Sequence, residues 1–292
     1  MGHLTLKIED IPDKIRLVLE KGAQKQLILK SKKIFKRKEL AKKLNVDEST
    51  IFHWKREDCH MKLKHLKKLL RLLGLEPRDI QNKVIGVKGE SSVIVLFKKG
   101  LPFEIPIEII AHLQADGSVT TRDCRCKYNN MEPTLIDSFI NVVLTVFDTK
   151  IHTYEAKGNF TVELPSVIGK ILVAKFGTFK SKRFSVPRMQ KEETIIRYLK
   201  SFFDDEGGVT NNKGNYNVYL KLRNEKALKN IQKFLNIVGI NPHKYGEEIR
   251  ITRIFNLEPF AKKIGFRYPL QQNKLTNLLK KFKKVDTYEI GT

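Results

Sequence analysis

The residues best placed to do chemistry are two acids, each followed by glycine at the end of an apolar run. The first run is Ile109-Ile110-Ala111-His112-Leu113-Gln114-Ala115-Asp116-Gly117; the second is Leu199-Lys200-Ser201-Phe202-Phe203-Asp204-Asp205-Glu206-Gly207. A single apolar helix ending in Asp-Gly is a common cap and turn. The same ending at matched positions of two copies is more informative, because pairing the copies about a pseudo-twofold axis brings a carboxylate from each helix end face to face. Two acids at helix C-termini repel each other, and a Mg²⁺ ion between them relieves that repulsion. A carboxylate pair of this kind can hold metal ions that activate water and stabilise the leaving oxygen in phosphodiester hydrolysis.

Such acids must be carried by closely packed helices. Ala111 and Ala115 lie four apart on one helical face, with Ser201 as the partner-side equivalent, and small residues allow backbones to approach. Gly117 and Gly207 are expected to end the two helices in the left-handed conformation. From there to the C-terminus the chain repeats an order. After Gly117 comes a strand that puts Cys124 and Cys126 on one face and Arg125 and Lys127 on the other. After Gly207 comes Asn217 to Arg223, with Val218, Leu220 and Leu222 inward and Tyr219, Lys221 and Arg223 outward. Amphipathic helices at about Pro133 to Phe147 and Glu225 to Val238 follow, then short β segments at Ile151 to Val162 and Lys244 to Arg253, then a further helix in each copy. The expected fold class is therefore α+β, an αββαββα unit duplicated within one chain and forming a pseudo-twofold saddle.

Charge says what the saddle would meet. The chain of 292 residues carries a formal net charge of +24, far beyond what solubility requires, and a polyphosphate is the partner that such a field attracts best. Residues 1–100 hold 25 Lys and Arg against 12 Asp and Glu, a net of +13 that leaves +11 for the rest, so both parts can touch phosphate. No apolar run is long enough to span a membrane and the N-terminus lacks a secretory pattern, so an intracellular location is expected. Cys59, Cys124 and Cys126 are too few for a disulfide framework and form no zinc-type ligand set.

Residues 12–82 read as all helical, with helices near Pro12 to Leu19, Arg37 to Leu44, Ser49 to Arg56 and Lys62 to Leu73, the last stopped by Gly74 and Pro77. Arg37 to Arg56, with small Ala41 at a helix crossing and Asp47 placed to cap the second helix, resembles the helix-turn-helix of Cro and phage repressors. That resemblance implies that Ser49, Thr50, His53, Lys55 and Arg56 lie on or near a recognition helix for a major groove. A hairpin of Val84 to Lys88 and Val93 to Phe97 around Gly89-Glu90-Ser91-Ser92 is expected to bridge the domains. The expected division is 1–82 for the helical domain, 83–102 for the linker, 103–190 for the first repeat and 191–292 for the second.

Residues 103–292 resemble the single-chain LAGLIDADG homing endonucleases of free-standing, archaeal type. The likeness rests on the two acid-Gly helices, on Leu235 to Ile240, Asn256 to Phe260 and Ile264 to Phe266, and on Lys274. It implies Asp116 and Glu206 as the catalytic metal ligands, with Gly117 and Gly207 beside them, Mg²⁺ or Mn²⁺ as cofactor, double-stranded DNA as partner and action as a monomer. It also implies a basic residue from each repeat at the scissile phosphates: Lys274 for the second, with Lys180 and Lys182 competing for the first. Arg125, Lys127, Tyr219, Lys221, Arg223, Arg250 and Arg253 would line the saddle. His112, Gln114 and Asp205 depart from the family pattern and imply looser packing between the signature helices. Two other readings share the fold: a non-cleaving transcriptional regulator of the WhiA kind, and an intron maturase acting on RNA. An intein origin is not expected, since neither end carries splicing residues.

Overall fold

The computed structural model describes residues 4–90, 93–120, 122–212 and 215–289. Ser91 and Ser92 of the expected hairpin turn lie outside them, as do both chain ends.

The N-terminal region begins with β1 (Thr5–Leu6) and β2 (Arg16–Leu19), followed by α1 (Ala23–Lys32), α2 (Arg37–Leu44), α3 (Glu48–Arg56) and α4 (Leu63–Leu72). Apolar side chains at helical spacing build its core: α4 buries Leu63, Leu66, Leu69 and Leu70, and α3 buries Ile51 and Trp54. Between α2 and α3 the chain turns through Asn45, whose φ of +55° is in the left-handed region that Asn tolerates. Asp47 occupies the N-cap position of α3 but its side chain makes no capping bond, contrary to expectation. The expected helix near Pro12 to Leu19 is instead β2, and α1 follows it. The reason is non-local: Arg16–Leu19 pairs antiparallel with a strand some seventy residues later.

That partner is β3 (Val84–Lys88), which with β4 (Ile94–Phe97) forms the expected hairpin. Then come β5 (Phe103–Glu104), α5 (Ile107–Gln114), β6 (Gly117–Val119), β7 (Cys126–Asn130), α6 (Pro133–Leu144), β8 (Phe147–Asp148), β9 (His152–Ala156), β10 (Asn159–Leu164) and α7 (Ser166–Phe176). The second repeat runs α8 (Glu192–Glu206), β11 (Gly207–Asn212), β12 (Asn215–Lys221), α9 (Glu225–Ile237), β13 (His243–Tyr245), β14 (Glu248–Ile251), α10 (Ile254–Lys263) and α11 (Pro269–Glu289).

The duplication is visible in the sheets. The first repeat has strand order β6-β7-β10-β9 and the second β11-β12-β14-β13, the same order with the same antiparallel pairings. α5 packs against α8 between the two sheets, and every residue of α5 from Ile107 to Gln114 is buried. The fold is α+β with a duplicated αββαββα unit.

A further sheet, β2-β3-β4-β8, is of mixed parentage: its strands come from the helical region, the hairpin and the first repeat. The pairing of β1 with β5 and the 2.8 Å ion pair between Lys175 of α7 and Asp10 add to the joint. Both pairings cross the boundary expected near Gly100 to Pro102, and Phe97, Phe103 and Phe147 pack there with ring centroids 5.1–6.2 Å apart.

Candidate metal and nucleic-acid site

The two acid-Gly steps are built alike, but not as left-handed caps. Gly207 is extended, at φ −91° and ψ 160°, and begins β11 as Gly117 begins β6; neither glycine has positive φ. Glycine is needed for space. A Cβ at Gly117 would lie 2.4 Å from the Leu113 Cα, and one at Gly207 would lie 2.5 Å from the Phe203 carbonyl oxygen. In each copy the chain doubles back against the helix turn four residues earlier, and the preceding acid is held at that corner.

Asp116 and Asp205 share one open cleft of about 510 Å³ with Asn129, Asn130, Glu132, Asp204, Gly207, Tyr268 and Gln271. Burial, then the nearby charges of Asp205 and Glu206, push the Asp116 carboxyl up to about 8 despite a hydrogen bond from Asn130. Burial and Asp205 also raise Glu206. The acids of the two repeats thus feel each other across the α5–α8 junction. Asp204 is pushed up to about 6, mainly by burial, and Arg267 opposes the shift by donating its backbone N–H at 2.6 Å and placing its guanidinium 3.2 Å away.

The departures His112 and Asp205 prove to be partners. Their side chains are fully buried and meet at 2.8 Å, Nδ1 to Oδ2, across the helix pair. Arg267 Nη1 lies 3.5 Å from His112 Nε2, on the far side of the ring from Asp205. The Tyr128 hydroxyl donates to Asp205 Oδ1 at 2.7 Å and Asn130 Nδ2 reaches the same oxygen at 3.3 Å. Gln114 is equally well placed, donating to the Ser185 carbonyl and accepting from the Tyr198 hydroxyl of α8. The looser packing expected from these residues is not observed, because each polar group is matched across the interface.

Neither Lys182 nor Lys274 lines the acid cleft. Lys182, like Lys180, is exposed in the segment after α7, and Lys274 is exposed on α11. Arg267, Tyr268 and Gln271 stand closer to the acids, and Gln271 also accepts from the Val209 N–H. Of these, Arg267 could have been sought as the counter-charge to a second-copy motif that carries three consecutive acids. Among the described residues, no three His, Cys, Asp or Glu side chains converge as a preformed metal cage.

The remaining expected residues lie on three surfaces. Ser49, His53 and Arg56 are exposed on α3, where Thr50 and Lys55 are half-buried; His53 and Arg56 each lie 3.2 Å from Asp58, and Arg56 rests over the exposed Phe52 ring. On the first sheet Lys127 contacts the Tyr154 hydroxyl at 2.8 Å and Glu163 at 3.4 Å. Arg125 precedes β7 and pairs with Asp123, while Cys124, at φ +53°, is outside the strand. Burial pushes the Cys126 thiol up, as fits a packing residue. On the second sheet Tyr219 and Arg250 are register partners, and Glu248 holds Arg250 at 2.6 Å. Lys221 ends β12, Arg223 follows it, and Arg253 caps α10 at φ +64°. No helix among the described residues is long and apolar enough to cross a membrane.

Comparison with solved structures gives distant likenesses. Full-length DUF199/WhiA from Thermatoga maritima is 15% identical, with a TM-score of 0.42, covering 64% of this chain and 66% of that one. The homing endonuclease I-DmoI in complex with DNA and Ca is 11% identical at a TM-score of 0.40, covering 59% of this chain and 97% of that one. The homing endonuclease I-WcaI bound to its DNA recognition sequence is 17% identical at 0.40, covering 58% and 84%. No protein-family model matches the chain, and no curated protein does.

Proposed function

We propose that the chain is a divalent-cation-dependent endonuclease acting on double-stranded DNA, with the two repeats of one monomer straddling the duplex. The observation that carries the reading is the pairing of α5 with α8, which delivers Asp116 and Glu206 from opposite repeats into one mutually repelling group of carboxylates. Asp116 lines the open cleft and Glu206 precedes its lining residue Gly207; hard oxygen donors of this kind, without a preformed cage, fit Mg²⁺ or Mn²⁺ held by one or two carboxylates and completed by water and phosphate oxygens. Asp116 and Glu206 would hold the ion, which when bound supplies an activated water and neutralises charge on the phosphate. The strand residues Lys127, Tyr219, Lys221, Arg223 and Arg250 would position the duplex by its backbone, with Arg125 and Arg253 at the strand ends. The α2–α3 pair would act as a helix-turn-helix and add contacts through Ser49, Thr50, His53, Lys55 and Arg56.

One observation favours a second reading, a DNA-binding protein that does not cut: neither Lys182 nor Lys274 lines the acid cleft. Selecting bound DNA from a random duplex library and incubating it with Mg²⁺ separates the two. The endonuclease reading expects cutting at a defined position by the intact protein and none by an Asp116→Asn, Glu206→Gln double variant. Specific binding with no cutting by either protein replaces it with the second reading.

A further inference from the structure

The two repeats are not equivalent around their acids. In the first, Asn130 at the end of β7 donates through Nδ2 to Asp116 Oδ2 at 3.1 Å and to Asp205 Oδ1 at 3.3 Å. Its amide cannot be turned the other way, because Oδ1 accepts the Glu132 backbone N–H at 2.9 Å at the start of α6. Asp205 is itself gripped by first-repeat groups, the Tyr128 hydroxyl and the His112 ring. Strand register shows what the second repeat has instead: Gly117 pairs with Tyr128 as Gly207 pairs with Leu220, so Leu220 and Leu222 stand where Tyr128 and Asn130 do. Both leucines are buried and apolar, and neither can orient Glu206.

We infer that Asn130 is a positioning residue for the cation site, tying Asp116 to Asp205 across the repeat boundary so that one acid is aimed by the network and the other is not. The inference rests on the proposed metal-binding reading. A side chain that fixes a ligand's direction typically changes metal affinity tenfold or more when removed.

The test measures Mn²⁺ binding by electron paramagnetic resonance, with thermal melting as a check on folding. Asn130→Ala is expected to weaken Mn²⁺ binding by about tenfold in the wild-type and Glu206→Gln backgrounds, and to have no further effect once Asp116 is Asn. Tyr128→Phe preserves shape and core packing and releases Asp205 Oδ1 from its shortest bond; a loss of about threefold is expected. If both variants fold and bind Mn²⁺ as the wild type does, while Asp116→Asn weakens binding without abolishing it, the positioning role is overturned and the metal reading stands. If the wild-type protein shows no Asp116-dependent Mn²⁺ binding, both fall together. An equal loss from Asn130→Ala in the Asp116→Asn background assigns the effect to general structure and overturns the inference.

Discussion

At the scale of residues, the site depends on buried polar groups that are matched in pairs. His112 and Asp205 occupy positions whose counterparts in the other copy are Phe202 and Ala115, ninety residues away in sequence. His112→Phe should therefore cost about 1–3 kcal/mol in chemical denaturation, since it removes one of the three hydrogen bonds that hold the buried Asp205 carboxylate. The double variant His112→Phe, Asp205→Ala should recover most of that loss, because it makes both positions apolar. Additive losses would show that the pair is not coupled. Asp116 supplies a pH signature. Its folded value of about 8 lies above the ordinary 3.8, so folding favours the protonated form; that contribution is fully present below about pH 4 and is lost as pH rises through 8. In chelator-treated protein, the melting temperature of the wild type should fall relative to Asp116→Asn over that window, and Mg²⁺ should narrow the gap. A constant gap would show that Asp116 is neither buried nor crowded by the other acids. The acid-Gly steps were legible because glycine after an acid interrupts a strong 3.6-residue pattern twice. The His112–Asp205 pairing was not: each residue alone reads as a departure, and only the packing of α5 on α8 shows that one answers the other.

Elements show where local patterning fails. α4, α8 and α9 repeat their apolar residues at helical spacing and were readable in advance, as was the hairpin of β3 and β4. β2 was not, because its four residues gain strand geometry only from β3, and no local signal marks a partner so distant. Other distant pairings govern how the chain can be divided. A fragment of residues 103–292 would lack β1 beside β5 and β4 beside β8, and would uncover Phe103 and Phe147. It should melt at least 10 °C below the full chain or aggregate, a result that matched thermal scans would show. The glycine corners make a second element-scale prediction. Gly117→Ala or Gly207→Ala places a Cβ within 2.5 Å of backbone atoms of the preceding helix and should cost about 1–3 kcal/mol, as overpacking does. Gly74→Ala, where φ is +68° but the space is open, tests strain without the clash.

Across the whole molecule, charge should dominate encounter with DNA. With a net charge of +24, affinity for duplex should fall steeply with salt, its logarithmic slope growing by about 0.9 for each phosphate neutralised. Replacing Lys55 and Arg56 by Ala should lower that slope by about two units if α3 touches phosphate; an unchanged slope would remove α3 from the interface. The sheet shared by β2, β3, β4 and β8 adds a consequence of its own. A module joined by a loose tether can search along a duplex while its companion stays put, whereas one whose strand is stitched into its companion's sheet behaves as a fixed arm. A duplex engaging both would have to present its two segments at a single spacing and helical phase, so half a turn of DNA inserted between them, about five base pairs, would carry one segment out of reach.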